Sequence, residues 1–206
     1  MEESKHLENL QEIRSIMERS SRFLSLSGLS GIVAGITALV GATIAYFRIE
    51  SYFQTEGGSY REMRDLESDL LIIAGIVLVA ALGFAYFFTA RKAKKAGEVV
   101  WNKAAKKLIV NLAVPLCTGG LVVLILLEDG KIGYIAPFTL VFYGLACINA
   151  SNQTVRDIYY LGLTNVILGI FGLIFIGQGL LFWTLGFGFA HILYGTLMYF
   201  KYDRKS

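Results

Sequence analysis

Residues 158–200 read IYYLGLTNVILGIFGLIFIGQGLLFWTLGFGFAHILYGTLMYF and contain no Asp, Glu, Lys or Arg. At about 1.5 Å per residue a single helix of that length would run about 64 Å. The hydrocarbon core of a bilayer is only about 30 Å thick. The stretch is therefore two crossings, and Gly177-Gln178-Gly179 is where to break it, because glycine supplies the backbone freedom a tight reversal needs. A membrane β-barrel is excluded, since its strands alternate apolar and polar residues over about 10 positions.

Working outward, 132–155 is equally free of those four residue types, 108–127 is closed by Glu128-Asp129-Gly130-Lys131, and 70–90 and 23–47 are uncharged. Six spans are expected, at 24–47, 70–90, 108–127, 132–150, 158–176 and 180–200, each near the roughly 20 residues a crossing needs. The composition agrees. Hydrophobic residues make up 55% and charged residues 17%, with a mean hydropathy of +0.57, against about 45–50% and about 25% in soluble domains. The 22 glycines suit helices that approach closely in lipid. Cys117 and Cys147 lie within apolar runs, which speaks against a disulfide framework.

Charge placement sets the expected orientation. The 91–107 connection carries Arg91, Lys92, Lys94, Lys95, Lys103, Lys106 and Lys107 against Glu98 alone, and the 201–206 tail is basic as well. The 48–69 connection is net acidic. The expected architecture is an all-α integral membrane protein, a six-helix bundle of three antiparallel hairpins with both termini in the cytoplasm. It divides into a cytoplasmic amphipathic helix (1–22), a membrane domain (23–200) and a basic tail (201–206). The first apolar run exceeds a signal-peptide core and is expected to be retained.

In 2–22, Leu7, Leu10, Ile13 and Met17 recur at helical spacing. Leu10 and Met17 could dock a protein partner at the cytoplasmic face, or the helix could pack on the chain's own loops; its sign-mixed polar face favours the second. The 91–107 segment is expected to be helical, with Lys94, Lys95, Lys103 and Lys106 near lipid head groups, although positive charge there also serves topology alone. No recognition module accompanies the basic patch, so nucleic acid is not an expected partner.

An ionisable residue at mid-membrane marks a candidate site. His191 is the one such residue, with Tyr194 three positions on, Tyr143 on span four and Cys117 at similar depth on span three as candidate ligand-binding companions. The plainer account is a neutral histidine hydrogen-bonded to a neighbouring helix. Two ligand types without a carboxylate make a short metal set, and no metal or other cofactor is expected. Mid-membrane carboxylates, usual in proton- or sodium-driven transporters, are missing. The Ala-His-x-x-x-Gly stretch is similar to the histidine helix of rhomboid proteases, but span four supplies no serine nucleophile for it. Tyr143-Gly144 and Tyr194-Gly195 hint at a repeat of hairpins. Ser27, Gly31 and Gly35, four apart on span one, form a small-residue ridge for packing within the bundle, against a partner, or against a second copy in a homo-oligomer.

The opening LENLQEIRSIMERSSRFLSLSGLSG (7–31) resembles that of a family of bacterial six-helix inner-membrane proteins that carries no assigned activity and accompanies winged-helix regulators. The resemblance implies a bacterial inner-membrane location and a signalling or regulatory role, with no catalytic residue to transfer. In size and span count the chain is also similar to the substrate-binding components of energy-coupling-factor vitamin transporters. The leading expectation is a non-enzymatic membrane protein acting through a protein partner or a bound hydrophobic ligand. A small-solute transporter or binding subunit with a pocket in spans three to six is second, and a membrane enzyme third.

Overall fold

The computed structural model describes residues 23, 25–54, 60–97 and 99–204. The expected 2–22 helix with Leu10 and Met17, and the turn at 55–59, lie outside them. The described chain is helical, without strands, and six helices are long and apolar enough to cross a membrane.

These are α1 (Gly28–Gln54), α2 (Tyr60–Lys95), α3 (Lys103–Glu128), α4 (Ile135–Ala150), α5 (Asp157–Ile174) and α6 (Gly179–Asp203). A short 3-10 turn, Ile132–Tyr134, leads into α4. Glycine makes the reversals, with positive φ at Gly130 (69°) between α3 and α4 and at Gly177 (106°) between α5 and α6. Pro137 stands in the first turn of α4, where no helical N–H partner is lost. The helices outrun the uncharged segments: α2 has 36 residues, about 54 Å of helix, because its polar ends need no apolar surroundings.

The 91–107 connection is not one helix. α2 stops at Lys95, Gly97 takes a φ of 68°, Val99 lies outside any helix, and α3 begins only at Lys103. Asn102 accounts for the restart: its side-chain oxygen accepts from the Ala105 N–H at 2.8 Å, satisfying one of the helix's orphan donors. Val99 and Trp101 stand exposed in the gap.

α1 packs on α2 and α6, α3 on α4, and α4 on α5, while the start of α6 sits against α4 and α5. α2 and α3 lie at the two edges. Two glycine seams hold the middle. A Cβ built on Gly35 would stand 2.7 Å from Gly188 O, and one on Gly195 2.6 Å from Ile32 N. A Cβ on Gly144 would stand 2.5 Å from Gly162 O, and one on Gly162 2.6 Å from Gly144 O. Backbone meets backbone at both places, so no side chain fits. The ridge that begins at Ser27 is thus spent within the bundle, with Gly31 and Gly35 against α6.

Candidate functional site

α6 is wound unevenly: Thr184–Ala190 and Tyr199–Asp203 are π-helical, separated by the α-helical turns of His191–Met198. The wider turn places Gly186 O, five residues back, beneath the His191 ring, at 2.9 Å from Nδ1. A carbonyl only accepts, so Nδ1 carries the hydrogen, and in the neutral ring Nε2 is the acceptor. Tyr143 of α4 therefore donates its hydroxyl to Nε2 at 2.7 Å. Cys147, one turn along α4, is buried. Phe187 covers the pair, its ring centroid 4.9 Å from Tyr143 and 5.8 Å from His191. His191 is 7% exposed, and both its nitrogens are engaged. The cluster is closed.

Asn165 of α5 lies beside it, fully buried. Its amide donates to Leu161 O at 2.9 Å, while its Oδ1 has no hydrogen-bond partner among the described residues and faces the Cα of Gly186. Tyr194 does not join the cluster; its hydroxyl meets Thr164 Oγ1 on α5 at 3.2 Å. Cys117 is exposed on edge helix α3, apart from the others. Among the described residues no three metal-ligating side chains converge.

A second polar arrangement joins the helix ends that carry most of the Lys and Arg. Asp203, at the end of α6, accepts from Ser27 Oγ at 3.0 Å and from the Gly28 N–H at 2.9 Å, capping α1 with a negative charge where its dipole is positive. Lys92 of α2 closes on Asp203 at 2.7 Å and donates to Leu26 O at 3.0 Å. Nearby, Asp157 accepts from Tyr202 at 2.6 Å, and Thr154 donates to Phe23 O at 2.7 Å. Arg91, Lys92 and Lys95 border a cleft of about 530 Å³ here; Lys94, Lys103 and Lys106 are exposed. Charge counting along the sequence misses this latch, because it treats Lys92 as a topology charge. The lone Asp203 in a basic tail is the signal that could have exposed it.

A different interior feature lies toward the opposite end. An apolar groove of about 280 Å³ runs between α1 and α2 on one side and α4 and α6 on the other. Small residues create it: Gly41, Ala42 and Ala45 on α1, Ala74 on α2 and Ala136 on α4 leave space where larger side chains would meet. Ile49, Leu70, Ile132, Leu180 and Trp183 also line it, and Glu67 is the single ionisable lining residue among the described ones. The Thr139 hydroxyl is already spent on Ala136 O at 2.7 Å. Among the described residues none of those nominated from the sequence lines this groove, because a gap between helices leaves no residue motif.

Six apolar helices around a closed polar cluster and an apolar groove define a multi-pass α-helical membrane protein. Comparison with protein-family models, with curated proteins and with solved structures found no match.

Proposed function

We propose that this chain is a non-enzymatic, multi-pass protein of a bacterial inner membrane, with both termini in the cytoplasm, that acts by holding a hydrophobic ligand in the groove between α1, α2, α4 and α6. The groove carries the reading: its lining is apolar but for Glu67 and Thr139, which suits an acyl chain or a similar tail. Loss of apolar area from water, at about 25 cal/mol per Å², is available to any ligand that reaches it from solution. The transporter alternative rests on His191 and Tyr143. Those two groups spend their hydrogen bonds on each other and line neither the groove, nor the basic cleft, nor a polar recess around Thr154 and Arg156. A regulatory role fits a groove whose occupancy moves α2, the edge helix that packs chiefly on α1.

Native mass spectrometry of protein extracted gently from its own membrane tests the proposal. The expected result is an added mass of a few hundred daltons that Ala74→Trp, which fills the groove, removes while Ala74→Ser retains it. A bare chain in both variants and wild type, or a bound protein subunit with no small mass, would overturn the ligand reading.

A further inference from the structure

The groove is apolar along its walls and acidic at one point. Glu67 follows the same face of α2 as Leu70, Ala74 and Val77, and all four line the cavity. From Glu67 to Val77 that face runs about 15 Å, so the carboxylate stands at one end of an extended apolar track. Among the described residues no Lys, Arg or His lines the groove. Arg48 on the facing helix is engaged by Asp69, and Glu67 forms no ion pair among the described residues. An anionic head group would meet an uncompensated like charge there, and a neutral one would leave the half-buried carboxylate without a counter-charge.

We infer that the groove selects amphiphiles bearing a single positive charge, lipophilic amines or quaternary ammonium ions free in the bilayer, with Glu67 facing the charged head and the α2 track taking the tail. This rests on the groove being the ligand site, as proposed above, and adds the ligand's class. The chain's two tryptophans provide the readout. Trp101 is 57% exposed in the break between α2 and α3, whereas Trp183 lines the groove, so Trp101→Phe leaves a reporter inside the site.

In phosphatidylcholine nanodiscs, the full chain carrying Trp101→Phe is titrated with dodecyltrimethylammonium and, separately, with dodecanol, following Trp183 emission. Glu67→Gln is expected to weaken the ammonium probe about fivefold, in the range of a partly exposed charge contact, and to leave dodecanol binding unchanged. Unchanged dodecanol binding also shows that the variant is folded. Glu67→Asp, which keeps the charge, is expected to bind the ammonium probe more tightly than Glu67→Gln. Saturable binding of both probes that Glu67→Gln leaves untouched would overturn the charge selection while the groove reading stood. Failure of both probes to move Trp183 emission would overturn the groove reading and this inference together.

Discussion

Between α1 and α6 the backbones come so close that a methyl group at Gly195 would press on Ile32 N and Gly28 O. Along α2, the glycines at 75 and 83 have nothing within 4 Å of where a Cβ would stand, and the most apolar window of that helix has no buried residue. Both regions are apolar and glycine-bearing, yet only one brings backbone against backbone. Lipid tails are as apolar as leucine, so hydrophobicity does not draw one membrane helix to another; close backbone approach and a few polar contacts do. The seams fix the inner helices, whereas α2 is tied by its flank on α1 and by Lys92. That contrast puts the groove beside the least constrained wall of the bundle.

The contrast breaks most visibly at the seam. Gly195→Leu is expected to cost about 3 kcal/mol or more, since the obstacle is backbone; it would appear as loss of the monodisperse peak in detergent and a large drop in thermal midpoint. A seam that tolerates leucine there would mean α1 and α6 are not held by close approach. Next in size is the latch. Asp203→Asn leaves Lys92 with a partly buried charge and removes the charge at the α1 cap, for an expected cost of about 2–3 kcal/mol. Chemical-denaturant unfolding in mixed micelles would measure it, and Asp203→Leu combined with Lys92→Met should cost less than the sum of the single changes.

A smaller effect is expected in the polar cluster. Tyr143→Phe leaves His191 Nε2 without its donor and should cost about 1 kcal/mol, read in the same assay. The smallest belongs to α2. At Gly83 an added Cβ meets no atom within 4 Å, and Gly83→Ala gains helix propensity of up to about 1 kcal/mol, so stability should hold or rise slightly. A clear loss at position 83 would show that α2 is packed against something the isolated chain lacks.

Most helix boundaries are legible in the amino-acid sequence, because the cost of burying a charge in lipid leaves a Lys, Arg, Asp or Glu beside every uncharged run; the junction inside 158–200 carries none. The turn at Gly177 is legible for a related reason: only a residue tolerant of positive φ sits there at 106°. The helix break at 91–107 is not, since Gly97 alone in a basic stretch resembles helix sequence elsewhere. His191 stands out by its chemistry, but its partner 48 residues away depends on which helices adjoin. Tyr194, three α-helical residues on, still turns to α5, because that spacing leaves the two side chains about 60° apart around α6. Cys117, expected at a similar depth, is exposed on edge helix α3, since residue counting says nothing of which way a side chain faces. The two Tyr-Gly pairs are alike in what they do: each glycine lies in a seam and each tyrosine bonds to another helix.

The Asp203 cap has a consequence in time. It completes a helix whose first backbone amide was made 175 residues earlier. At translation rates of about 5–20 residues per second, that is a wait of about 10–35 s. Throughout it α1 already occupies the membrane with its opening amide lacking that acceptor, and the growing chain cannot settle into its finished arrangement until the final turn of α6 emerges. A ribosome stalled anywhere before that turn would leave an inserted but unlatched protein, a distinct target for membrane quality control.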